Sequence, residues 1–156
     1  MPHDPALTAL LATHAARLQA LLPPGWPIPL DMPRRAWGED FVVYELGQLP
    51  DGRHAKLHHF LRADQGPPHC HFCEIESHGL KGDYVERIYK NGLTWDVRRP
   101  ASGHHVIAAD TVHRLVSLPD GDAWTVCFTG LAVREGHHHA EIVELPEAKY
   151  FLLEVA

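Results

Sequence analysis

Leucine recurs at Leu7, Leu10, Leu11, Leu18, Leu21 and Leu22, spacings of three, four and seven that predict one apolar face of an α-helix. Asp4-Pro5 supplies an N-cap followed by proline at the first helical position, and Pro23-Pro24-Gly25 ends the run. His14 on this helix reads as a surface or boundary residue. Residues 23–36, with five prolines, read as an irregular connection. From residue 41 the pattern shortens. Phe41–Leu46, Ala55–Ala63, Asp83–Lys90, Leu93–Arg98, His104–Ala108, Val112–Leu118 and Ala123–Leu131 read as short strands.

The segments between them carry turn chemistry: Asp51-Gly52, Gly66-Pro67-Pro68, Asn91-Gly92 and Pro119-Asp120-Gly121-Asp122. Asn91-Gly92 is the sharpest signal, because both central residues of a type I′ hairpin turn need positive φ. Many short strands without helical interludes predict an all-β barrel or sandwich, with the N-terminal helix packed across a sheet. At 156 residues the chain suits one domain, since halving it would leave two marginal cores. Residues 1–36 then form the helix and connection, and 37–156 the barrel. Trp95, Trp124, Phe60 and Phe128 read as core fillers.

Charge narrows the partners. A formal net charge of −6 with scattered basic residues argues against nucleic acid and anionic membrane surfaces. No apolar run approaches a membrane span, and Met-Pro-His-Asp-Pro at the start lacks the pattern of a signal peptide. The cytoplasm is the expected compartment, and a small molecule the expected partner. Three cysteines, Cys70, Cys73 and Cys127, suggest no disulfide framework. Histidine is the outlier, at 14 residues; it is the commonest metal ligand, so position must sort ligands from spectators.

The segment Pro67-Pro68-His69-Cys70-His71-Phe72-Cys73-Glu74 carries the chemistry. In extended backbone, residues two apart face the same side. His69 and His71 can therefore aim at one point while Cys70 faces away. A third ligand must come from a distant segment, and His113, starting a strand after the turn at Ala109-Asp110-Thr111, is the best donor. Arg114 beside it is a candidate contact for a substrate carboxylate, or an ordinary solvated or salt-bridged strand arginine.

These residues resemble the cupin superfamily, whose first motif is His-x-His, then three or four residues, a Glu, and six residues to a Gly. His69, His71 and Gly82 match it, and Gly103 to His113 approximates the second motif, with Ala109 and Thr111 where Pro and Gly are usual. The stretch Leu80 to Glu86, then His113-Arg114-Leu115 and Trp124 to Gly130, is similar to small bacterial cupins and the cysteine-dioxygenase-like branch. The resemblance covers roughly residues 55–131. It implies a double-stranded β-helix, or jelly-roll barrel, holding one divalent metal ion, Fe(II) first and Zn, Ni or Cu as alternatives, with pairing through sheet edges as a homodimer. The motif carboxylate falls out of step: Glu74 and Glu76 compete for a fourth ligand, and three histidines without one also satisfy this branch. The branch's Ser-x-His-x-Tyr stretch falls on Thr125, Cys127 and Thr129, so cysteine dioxygenase activity does not carry over.

The expectation is a ferrous dioxygenase acting on a small organic substrate, with His69, His71, His113 and Glu74 as metal ligands and Arg114 at the substrate. A non-catalytic sensor or storage cupin is the rival, as is an isomerase or hydrolase using the ion as Lewis acid. Cys70-x-x-Cys73 has no second pair, and Cys70 reads as a buried small hydrophobe. His137-His138-His139 reads as a solvated loop with adventitious metal affinity. His58-His59 and His104-His105 each put one ring into the barrel and one out.

Overall fold

A computed structural model describes residues 4–154. Helix α1 (Pro5–Leu21) begins where the Asp4 carboxylate accepts a hydrogen bond from the Ala6 N–H at 2.9 Å. The same carboxylate binds Arg34 Nε at 3.0 Å and the Tyr44 hydroxyl, so the cap also fastens the helix to the sheet. Eleven strands follow: β1 (Arg34–Trp37), β2 (Phe41–Gln48), β3 (His54–Phe60), β4 (Ile75–Lys81), β5 (Tyr84–Lys90), β6 (Leu93–Arg99), β7 (His104–Ile107), β8 (Val112–Ser117), β9 (Ala123–Thr129), β10 (Ile142–Leu145) and β11 (Lys149–Leu152). They form two curled antiparallel sheets, ordered β1-β2-β3-β9-β4-β7 and β10-β11-β6-β5-β8. This is the jelly-roll barrel expected, with its N-terminal helix. No helix among the described residues is long and apolar enough to cross a membrane.

Strand alternation divides the side chains of the larger sheet between two environments. Leu57 of β3, Leu80 of β4, and Trp124, Val126 and Phe128 of β9 join Leu7, Leu10, Leu18 and Leu22 of the helix in the main core. The opposite face looks into the barrel and is more polar, carrying His58, Ser77, Thr125 and Cys127 around one another. His59 does face outward from it, stacked on Trp124 at 3.8 Å and paired with Asp122.

Asn91 and Gly92 adopt φ of 54° and 77° and close the β5–β6 hairpin as the turn chemistry requires. Gly82, at φ +75°, turns β4 into β5; a Cβ there would lie 2.2 Å from the Asp122 carbonyl oxygen. Four strands depart from the sequence reading. β1 lies in the proline-rich segment and is exposed throughout. β4 turns Ser77 and Gly79 inward, so no apolar alternation announces it. β10 and β11 are joined by Glu147 and Ala148 in positive φ, residues that give no turn signal. Trp95, expected in the core, is 45% exposed.

Leu18 is fully buried between helix and sheet. Leu18→Ala is expected to cost about 2–5 kcal/mol, the range for truncating a packed leucine, read as a lowered urea midpoint at unchanged slope. A loss below about 1 kcal/mol would show that the helix contributes little to holding the barrel.

Candidate metal centre

His69 and His71 do not sit within a regular strand. Their segment is pinned to β8 by a reciprocal backbone pair: His69 N–H donates to the His113 carbonyl at 3.0 Å, and His113 N–H to the His69 carbonyl at 2.9 Å. His71 N–H donates to the Ala109 carbonyl at 3.0 Å. The pairing brings the rings together, with centroids 4.8 to 5.0 Å apart. Each imidazole offers one nitrogen, and the three lie within 4.8 Å of one another. His71 Nε2 and His113 Nε2 are 2.7 Å apart, a hydrogen bond through one shared proton.

Burial sets the charge state. It lowers His69 to about 3 and His71 to about 4, helped in each case by the neighbouring His113 charge. Neutral imidazole is the form that donates a lone pair to a metal. Behind His113 lies Glu86 of β5, only 2% exposed. Burial would raise its carboxyl, but hydrogen bonding and charge from His113 and Arg99 outweigh that and hold it at about 2. The carboxylate takes His113 Nδ1 at 3.0 Å and Arg99 Nε at 2.7 Å. An ionised carboxylate only accepts, so His113 donates from Nδ1, and the contact aims its Nε2 at the other two rings. His105 faces the same interior, its Nε2 3.9 Å from Glu86 and without a hydrogen-bond partner among the described residues. Burial and the Arg99 charge lower His105 to about 4.

Glu74 and Arg114 are not brought to the imidazoles. Glu74 is exposed beside the bend preceding β4 and joins none of the histidine clusters. Arg114 alternates to the outer face of β8, opposite His113, and binds Glu144 at 2.7 Å. Glu76 also faces outward, held by Arg53 at 2.6 Å and His78 at 2.9 Å. Ile75, two places before Ser77, takes the inward position instead and is buried. The acid that reaches the cluster is Glu86. Its available signal was a charged residue alternating in step with Tyr84 and Ile88.

The residues fit a divalent ion: three imidazole nitrogens converge, one ring is oriented by a buried carboxylate, no carboxylate stands among them, and an ion would displace the proton that His71 and His113 share. Nitrogen ligands of this kind suit iron, zinc, copper and nickel alike.

No family model matches the chain, and no curated protein matches it. Solved structures do. Hydroxypropylphosphonic acid epoxidase from S. wedmorenis is similar with a TM-score of 0.56 at 11% identity, over 66% of this chain and 57% of the epoxidase; an Fe(II) form of HppE superposes with 0.54 at 12% identity, over 66% and 58%. The polyketide cyclase RemF from Streptomyces resistomycificus gives 0.56 at 19% identity, over 78% of this chain and 87% of RemF. The DMSP lyases RdDddP and RnDddQII give 0.50 at 16% identity, over 63% and 52%. This chain thus spans little more than half the length of the epoxidase and lyase chains. The likeness is one of fold, and the fold is a cupin-type β-barrel.

The depressed histidines give a signed pH dependence. Unfolding frees His69, His71 and His105 to titrate at their ordinary 6.5, whereas the folded values are about 3 to 4. Between those limits the unfolded chain binds more protons, so stability falls as pH drops, by at most about 1.4 kcal/mol per pH unit for each histidine. The melting temperature of metal-free protein should decline from about pH 6.5 towards 4 (with burial as the cause), and a flat profile across that window would contradict neutral buried rings.

Proposed function

We propose that the chain is a metal-dependent oxidoreductase, a ferrous dioxygenase acting on a small organic molecule. The observation that carries this reading is a set of three imidazoles on one point with no carboxylate among them. Such a set would hold Fe(II) with coordination positions left over, and the ion would supply oxygen activation. The Fe(II) form of HppE, on a similar fold, supports iron as an ion this kind of barrel accommodates.

The chain's own groups then have definite tasks. His69, His71 and His113 bind. Glu86 fixes the tautomer and aim of His113, and Arg99 keeps Glu86 ionised. Trp95 and His113 both pair with Ile88, so the three share the inner face of the smaller sheet. The exposed indole of Trp95 offers a substrate an apolar contact on that face. Arg114 is committed to Glu144, so recognition of a carboxylate is not assigned to it.

Iron-loaded protein is expected to consume oxygen with a member of a thiol and diketone panel. Glu86→Gln should lower that rate by about 10–100-fold, the usual effect of removing the partner of a ligating histidine, while leaving a folded protein by near-ultraviolet circular dichroism. Inertness of the iron form, with oxygen-independent turnover on another ion, would replace this reading by a lyase, isomerase or hydrolase.

A further inference from the structure

We infer a second metal site, on Cys70, His137 and His139, that fastens the segment 136–141 along the back of the His69–His71 segment. The two segments run antiparallel. Cys70 N–H donates to the His137 carbonyl at 3.1 Å, His139 N–H donates to the Pro68 carbonyl at 2.7 Å, and His69 pairs with His138. Gly136 permits the approach, since a Cβ there would sit 3.0 Å from the Cys70 carbonyl oxygen and 3.1 Å from the His71 carbonyl carbon.

This register decides what faces what. Side chains opposite one another share a face, so Cys70, His137 and His139 gather on the side away from His69 and His71. The Cys70 Sγ lies 3.3 Å from His139 Nε2 and 3.8 Å from His137 Nδ1. Bond lengths of about 2.3 Å to sulfur and 2.0–2.1 Å to nitrogen in a tetrahedral site put those atoms roughly 3.5 Å apart. The observed pair of distances brackets that value. Without an ion the sulfur serves the two nitrogens only by donating to one and accepting from the other; a cation would be bound by all three atoms at once.

Behind His139, the Glu141 carboxylate takes Nδ1 at 2.9 Å. That contact leaves Nε2, the atom facing sulfur, with the lone pair, as carboxylates do behind ligating histidines. One thiolate with two imidazoles suits zinc or cobalt, and binding releases the thiol proton to solvent. His137 is exposed, so a fourth position is open to water. The ion's role is structural: it closes the turn-rich segment onto the strip that carries two of the three imidazoles of the first centre.

The test is cobalt(II) titration of the untagged full chain, followed by absorption. Wild type should show sulfur-to-cobalt charge transfer, a signature the three-histidine centre cannot give, and it should persist in His113→Ala. Cys70→Ala should abolish it. His137→Ala together with His139→Ala, changes at exposed and half-buried positions that spare the core, should weaken cobalt binding at this site at least tenfold. Absence of the band in wild type, its survival in Cys70→Ala, or unchanged affinity in the double histidine variant would each overturn the assignment. Because the readout is a sulfur signature, its failure leaves the oxygen-uptake reading of the first centre standing or falling separately.

Discussion

Two backbone hydrogen bonds, exchanged between His69 and His113, fix the relation on which the site depends. They join residues 44 positions apart into one hydrogen-bonded antiparallel pair, in which Cα atoms lie about 5.5 Å apart. Once that pair is set, alternation directs His71 to the same side as His69, and Ala109 secures the segment from the other end. The strip 68–71 is short and irregular, so it is held from both flanks: β8 on one side and the residues 137–139 on the other. The inner face collects imidazoles only, and the outer face collects a thiol with two more imidazoles.

A barrel interior lined by histidine is costly unless the rings stay neutral or find partners. Burial depresses His69, His71 and His105, which leaves lone pairs where protons would otherwise sit. The buried charge of the region, Glu86, is compensated by Arg99 and by the His113 N–H. Removing Arg99 alone would strand a carboxylate in low dielectric, the configuration proteins tolerate least. Stability and ligand orientation are therefore supplied by the same three side chains. The larger, apolar core lies elsewhere, between helix α1 and the outer face of the six-stranded sheet, and the separation allows the barrel interior to remain polar.

The parts of this arrangement that follow from local chemistry were legible in the chain. Asp4-Pro5 and the leucine spacing define α1, Asn91-Gly92 defines a hairpin, and the alternation rule separates Cys70 from His69 and His71. Other features depend on who pairs with whom. Glu74 lies one residue outside the motif spacing and the structure leaves it in solvent, whereas the acid that reaches the cluster comes from β5 through tertiary pairing. Arg114 looked promising through adjacency to His113, yet adjacency along a strand means opposite faces. The strands β1, β10 and β11 are largely exposed, and the apolar residues of β10 and β11 do not alternate with polar ones, so no buried face wrote itself into their sequence. His137 to His139 lack strand character as well, and their meeting with Cys70 follows only from the antiparallel register with residues 68–70.

Anomalous diffraction at the iron edge, from crystals grown with Fe(II) under exclusion of oxygen, tests the central claim most directly. The account predicts one strong peak within bonding distance of a ring nitrogen from each of His69, His71 and His113, with His71 Nε2 and His113 Nε2 parted to admit it. A map without density at that point, the two nitrogens still sharing their proton, would contradict it.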